Sequence, residues 1–389
     1  MLAGLVSGRG AFARQLIAGT MVLFILAACA NRPEETAEIR TLVPMEAIDI
    51  AQGPQLPVGV NGIRPGGEDG IQTVVAFSAG GADGAFGAGI LSGWTAHGSR
   101  PEFDVVTGVS TGALLAVLAF LGPDYDRLIE RLYTSQTNEK IFRNQGLGGV
   151  FGDSLYDNTP LKKQIEDIVT QGLLDKVAEE HRKGRRLYVV TTNLDAGSEV
   201  IWDMGKIAQG GRTNTLLHFQ KVLRASAAVP GYFKPVYIKP QRGVQLRQAH
   251  VDGGVKEPVL FSPFMVDVPA RKKQLFLIIN GSTAQHNAHR PVEPKLSEIA
   301  RKTITELIRE LQEDTIFRHY TTAKNAGAEF NVVSIPDSIP IAQESLNFDQ
   351  ERMKKLFKAG YDIGASGKWR TMPRSIHERD RQIAAAVTE

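Results

Sequence analysis

Apolar residues fall along this chain in short blocks from residue 71 onward, and the blocks alternate between two periods. Thr73–Ser78 (TVVAFS), Phe103–Thr107 (FDVVT), Leu187–Thr191 (LYVVT), Gln274–Ile279 (QLFLII) and Phe330–Ile335 are short, nearly continuous apolar runs. Such runs predict strands covered on both faces. Between them the pattern predicts helices over Ala85–His97, Ser110–Phe120, Asp124–Tyr133, Thr159–Leu174, Leu216–Ala225 and Met353–Ile363. Pro294–Asn325 predicts a long helix, with Leu296, Ile299, Ile304, Leu307 and Leu311 close to a 3.6-residue period. Strands alternating with helices indicate an α/β fold with a mainly parallel sheet. No break in composition divides 71–370, which predicts one domain, with 371–389 as a polar tail.

The N-terminal stretch reads differently. Residues 1–28 carry Arg9 and Arg14, no acid, and an apolar core from Leu16 to Ala28. That core has the length of a signal-peptide core and is short for a bilayer span of ~30 Å. It ends in Leu26-Ala27-Ala28-Cys29, and Cys29 is the single cysteine of the 389 residues. The pattern resembles the bacterial lipobox, in which the cysteine thiol is acylated and becomes the new N-terminus. The expectation is a signal peptide over 1–28, lipidation at Cys29 and a bilayer anchor. Position 30 carries no acid, which leans toward an outer membrane. An ordinary secretory signal that happens to contain Cys is the alternative. Residues 29–70, with five prolines and six glycines between Pro33 and Gly70, read as a linker. About 40 flexible residues span roughly 35 Å. The alternative for Ala47–Ala51 is packing on the domain.

Composition narrows the function classes. Lys+Arg 45 against Asp+Glu 42 gives +3, spread along the chain, so nucleic-acid binding has no support. One cysteine excludes an internal disulfide and a cysteine zinc site. No metal, cofactor or protein partner is called for.

Three elements carry candidate chemistry. Gly108-Val109-Ser110-Thr111-Gly112 joins a predicted strand to a predicted apolar helix. A nucleophile elbow needs that arrangement, with Ser110 exposed on a strained turn and Gly108 and Gly112 leaving room across it. Equally, Ser110 could be only a helix N-cap. Ala79-Gly80-Gly81-Ala82-Asp83-Gly84 offers unhindered backbone N–H groups that could converge on an oxyanion or a phosphate. Neither the dinucleotide fingerprint nor a P-loop is present. Asp252-Gly253-Gly254 is a turn signal whose carboxylate could act as general base beside a serine. His250, His286 and His289 follow Ser110, with a structural role the expectation for each. Trp94, Trp202 and Trp369 read as core rather than as membrane anchors.

These elements, in this order, resemble the patatin-like phospholipase family. Thr191–Gly197 (TTNLDAG) and Ala225–Pro235 (ASAAVPGYFKP) resemble two further blocks of that family, and the likeness runs from about 73 to 260. It implies a single three-layer α/β hydrolase domain with a Ser–Asp dyad. Ser110 would be the nucleophile, Asp252 the base, and the amides of Gly80, Gly81 and Ala82 the oxyanion hole. The implied reaction releases fatty acids from membrane glycerolipids through an acyl-Ser110 intermediate. The alternatives are a neutral-lipid esterase, an acyltransferase, or a catalytically silent, membrane-tethered binding protein. Two departures stand out: Ala79 replaces the family's first motif glycine, and Asp83 replaces its Arg or Lys. Asp83 implies weaker binding of an anionic head group, or a raised pKa at Asp252 if the two lie close.

Overall fold

The computed structural model describes residues 47–48, 62–67, 69–146, 154–210, 214–239, 247–283, 291–292, 294–340 and 345–374. The signal segment, Cys29, His286, His289, most of the linker and the tail beyond Arg374 lie outside the described residues. The strands are β1 Ala47–Ile48, β2 Ile71–Phe77, β3 Val105–Val109, β4 Arg143–Asn144, β5 Tyr156–Asp157, β6 Arg186–Asn193, β7 Ser198–Asp203, β8 Val236–Ile238, β9 Gln248–Asp252, β10 Lys272–Ile279 and β11 Glu329–Ser334. The helices are α1 Gly84–His97, α2 Thr111–Leu121, α3 Asp126–Thr134, α4 Asn138–Ile141, α5 Thr159–Ile168, α6 Gln171–Arg182, α7 Met204–Gln209, α8 Thr215–Ser226, α9 Leu296–Asn325 and α10 Gln350–Ser366. None of these helices is long and apolar enough to cross a membrane.

The main sheet runs β1-β7-β6-β3-β2-β10-β11, with β9 paired to β6 and β8 paired to β9. The central strands β6, β3, β2, β10 and β11 are parallel. β7, β8 and β9 are antiparallel additions. Their short, mixed sequences carry no clear apolar run, so the pattern did not predict them. Alternate side chains of the central strands feed two cores, as the two-residue period requires. Val75, Phe77, Val106 and Phe276 meet α1, α2, α8 and α10 on one face. Val74, Ala76, Val105 and Leu277 meet α9 and the 259–266 segment on the other. The result is a three-layer α/β domain with helices covering both faces of the sheet.

Two expectations need correction. The stretch Thr159–Leu174 is two helices, because Val169 leaves helical geometry and Thr170 caps α6 by accepting a hydrogen bond from the Leu173 N–H. The packed unit also begins before residue 71. Ile63 is buried, Arg64 is ion-paired to the buried Asp104, and the Arg186 guanidinium donates to the Gly62 carbonyl. β1 adds to the sheet edge at Trp202 and Ile201. The tryptophans pack as expected: Trp94 and Trp202 are buried, and Trp94 and Trp369 rings lie 4.7 Å apart beside Phe276.

α1 and α10 approach unusually closely, and glycine makes this possible. A Cβ on Gly89 or Gly93 would collide with the carbonyls of Phe357 and Tyr361; one on Gly360 or Gly364 would collide with those of Phe86 and Ile90. Backbone therefore lies on backbone along two turns of each helix. Gly93→Ala is expected to destabilise the fold by about 1–3 kcal/mol through overpacking. Gly172→Ala, exposed in α6 with nothing closer than 4.0 Å, should hold or raise stability through helix propensity. Thermal unfolding of the two variants checks the contrast.

Candidate functional site

The register of the sheet builds the site. β3 runs parallel to β6, ending with Val109 opposite Val190. There the chain leaves the sheet at Ser110 and enters α2. β7 fills the other edge of β6 from Tyr188 to Asn193. The slot vacated by β3 is taken by β9, which arrives from the opposite direction and pairs Asp252 with Thr191. The end of one strand and the end of another thus abut, and Ser110 and Asp252 meet side by side. The Ser110 side chain lies close enough to the Asp252 carboxylate to lower its pKa.

Ser110 sits at φ 56° and ψ −124° and is the one non-glycine residue with positive φ among the described residues. Such a conformation costs about 1–3 kcal/mol and persists only when its surroundings impose it. The imposition is visible. A Cβ on Gly108 would strike the backbone of Gly112, and one on Gly112 would strike the Phe77 and Ser78 carbonyls. The Ser110 N–H donates to Ser226 Oγ at 2.9 Å, and that hydroxyl donates on to the Val190 carbonyl at 2.7 Å. Ser110 therefore makes no side-chain cap of α2; the turn presents its hydroxyl instead.

Asp252 is held as firmly. Its N–H donates to the Ala228 carbonyl at 2.9 Å, its carbonyl accepts from Thr192 Oγ1 at 3.0 Å, and Oδ1 accepts from the Gly254 N–H at 2.8 Å. Burial pushes its carboxyl up to about 7, against the lowering effect of the nearby Ser110 and the Gly254 N–H. A carboxyl with that pKa can accept and return a proton near neutral pH.

The Gly-rich turn lies on the same cavity. Gly81 has φ +57°, and a Cβ there would collide with the Ser345 carbonyl. The N–H groups of Gly80 and Gly81 meet no acceptor among the described residues. Ala82 does not fit the expected oxyanion trio, since its N–H is committed to the Ser345 carbonyl at 2.7 Å. Ala79 is accommodated without positive φ, its N–H donating to the Pro258 carbonyl.

Ser110, Thr111 and Gly81 open onto a narrow cavity of about 90 Å³. Its walls are apolar, with Leu114, Leu118, Ile165, Leu223, Phe233 and Phe348 prominent. An apolar cleft meeting a few convergent polar groups has the form of a small-molecule site.

The Asp83 expectation resolves differently, while His250 makes structural contacts. Asp83 is buried, but it is ion-paired to Arg352 at 2.9 Å rather than set against Asp252. Burial raises it to about 6 and Arg352 opposes the rise; it is absent from the causes of the Asp252 shift. His250 lies in β9 with Nδ1 2.9 Å from Thr191 Oγ1 and its ring against Trp202. Burial lowers it to about 3, and it is Asp252, not His250, that lies beside Ser110. Sequence reasoning missed the role of Ser226, whose hydroxyl links elbow to sheet. It also missed Asn280, whose amide accepts from the Gly87 N–H and donates to the Ser78 carbonyl behind the Gly-rich turn. Both lie far in sequence from what they support, and no local spacing marks them.

Residues 75–265 match the family model of patatin-like phospholipases. The cUMP-AMP-activated phospholipase of Escherichia coli is 25% identical over 206 residues, covering 50% of this chain and 59% of that protein. VipD from Legionella pneumophila aligns over 85% of this chain and 71% of its own, at 13% identity and a TM-score of 0.41. The ExoU–SpcU complex of Pseudomonas aeruginosa aligns over 87% of this chain and 62% of that chain, at 14% identity and a TM-score of 0.27.

A carboxyl raised to about 7 makes a definite pH prediction. As a general base it would act ionised, so kcat/KM for ester cleavage should then fall about tenfold per pH unit below about 7 and level off above it. A solvated aspartate would put that limb near pH 4. Stability should run the other way. The folded-state pKa exceeds the unfolded one, so the stabilisation is complete below about pH 4 and is lost as pH rises through 7. Asp252→Asn should therefore raise the thermal midpoint more at pH 8 than at pH 5.

Proposed function

We propose, on the premise that residues 75–265 are a patatin-like phospholipase domain, that the protein is a serine acyl hydrolase releasing fatty acids from membrane glycerolipids. The observation that carries this reading is the placement of Ser110, on a strained turn, beside the buried Asp252 carboxylate, at an apolar cavity that Ser110 lines. The chain spans 59% of the length of its Escherichia coli relative, so the reading rests on the site.

Ser110 Oγ attacks the ester carbonyl while Asp252 takes the hydroxyl proton. Negative charge develops on the carbonyl oxygen, and the N–H groups of Gly80 and Gly81 offer it hydrogen bonds at the α2 end of the sheet. Preorganised donors of this kind typically contribute about 3–4 kcal/mol each. The tetrahedral intermediate collapses, the C–O bond to the glycerol oxygen breaks, and Asp252 returns its proton to that oxygen. The acyl group remains on Ser110. A water then attacks the acyl carbonyl, giving its proton to Asp252, and the fatty acid leaves as Ser110 is regenerated. The acyl chain occupies the cavity, where each methylene removed from water contributes about 0.8 kcal/mol. Because Asp83 is neutralised by Arg352, an anionic head group meets no unpaired carboxylate there.

Fatty-acid release from mixed phospholipid vesicles and cleavage of a short-chain p-nitrophenyl ester test the proposal. Ser110→Ala and Asp252→Asn should each lower both activities by more than about 10³-fold, while His250→Gln should stay within about tenfold of wild type. Full activity in Ser110→Ala would defeat the reading.

A bilayer anchor belongs to the same proposal, supported by Leu26-Ala27-Ala28-Cys29. Cys29→Ser should move the protein out of the membrane fraction while turnover of the soluble ester is unchanged. A variant that stays in that fraction as wild type does would contradict the anchor.

A further inference from the structure

The site draws on a segment outside residues 75–265. Ser345–Met353 crosses the Gly-rich turn and the cavity. The Ser345 carbonyl accepts from the Ala82 N–H and is the group that excludes a side chain at Gly81. Leu346, Phe348 and Met353 line the same cavity as Ser110. Asn138 Oδ1 accepts from the Phe348 N–H at 2.8 Å, and Gln350 Nε2 donates to the Ser135 carbonyl at 3.1 Å. α10 then begins, pinned to α1 by the glycine contacts described above, and its third residue is Arg352. Arg352 Nη2 donates to Asp83 Oδ1 at 2.9 Å, two residues after Gly81.

We propose that the Asp83–Arg352 ion pair is a clasp that seats the oxyanion turn against α10, which makes Arg352 a positioning residue for acyl transfer to Ser110 and residues 345–353 the wall that sets acyl-chain selectivity. The inference deepens the hydrolase reading and rests on it. Its physical basis is the rigidity of what the pair joins. α1 follows directly from the turn and is locked to α10 backbone on backbone, so the clasp joins the two ends of one unit. Without it, the turn keeps its hydrogen bond to Ser345 but loses its charged tie. A donor displaced by about 1 Å from a developing oxyanion loses on the order of 10²-fold in rate.

The pair is asymmetric. Arg352 Nε and Nη1 are buried without an acceptor among the described residues, so Asp83 is its principal counter-charge. A guanidinium cannot shed its charge. Asp83, already raised to about 6 by burial, can shed its own by taking a proton. Asp83→Asn should therefore do more harm than Arg352→Gln, and the double variant should do less than the sum.

The test uses the full chain, a fluorophosphonate probe for the labelling rate of Ser110, and p-nitrophenyl butyrate and palmitate for turnover. Arg352→Gln should lower the labelling rate about 10- to 100-fold and change the palmitate-to-butyrate ratio. Asp83→Asn should lower it further, and the double variant should recover part of the loss. Lys354→Gln, exposed on α10 and paired to Glu351, should match wild type. If Asp83→Asn does not fold, Arg352→Gln alone still decides. An active wild type whose Arg352→Gln variant labels at the same rate with the same ratio would overturn the clasp alone. A wild type that is neither labelled nor active would overturn the hydrolase reading beneath it.

Discussion

The juxtaposition of Ser110 and Asp252 is the constraint on which the rest of this structure depends, and it is a consequence of sheet register. β6 offers its β3 edge to two strands in succession. β3 uses it up to Val190 and turns away; β9 takes over at Thr191 from the other direction. A serine leaving the sheet and an aspartate at a strand end are thereby brought together with no adjustment of side-chain length. Everything nearby preserves that junction. Ser226 bridges the Ser110 amide to β6, Thr192 and Ala228 hold the Asp252 backbone, and α9 lies over the following loop. There His319 Nε2 is 2.8 Å from the Val259 carbonyl and Arg318 pairs with Glu257.

The burial that makes the site reactive also opposes folding. A carboxyl 3% exposed is destabilising when ionised, and Ser110 adds backbone strain. Both are features of a site built for chemistry at the expense of stability. The two apolar cores compensate by surrounding the junction on both faces of the sheet. The same enclosure provides an apolar cavity beside Ser110, so in the proposed enzyme substrate class and base strength would have a common physical origin.

Much of this was legible in the sequence where the signal was local. The runs TVVAFS, FDVVT and QLFLII are buried parallel strands, and Gly108–Gly112 is a tight strand-to-helix turn, where a side chain on Gly108 would strike Gly112 within the turn itself. Asp252-Gly253-Gly254 read as a turn on its own, and only the family resemblance gave the carboxylate a chemical role. What escaped was nonlocal. β7, β8 and β9 lack a distinctive pattern; β7 and β9 are strands because β6 offers them partners, and β8 because β9 does. The commitment of the Ala82 amide depends on Ser345, and the meaning of Asp83 on Arg352, which is 269 residues away. No spacing rule reaches that far. The Asp83 anion that reads as a defect in the motif is one half of an ion pair.

The most direct measurement is mass spectrometry of the enzyme quenched in acid during turnover of a phospholipid. The account predicts a peptide carrying one acyl group on Ser110, accumulating in wild type and absent from Ser110→Ala. Continued fatty-acid release with Ser110 unmodified, or with the acyl group on another residue, would contradict it.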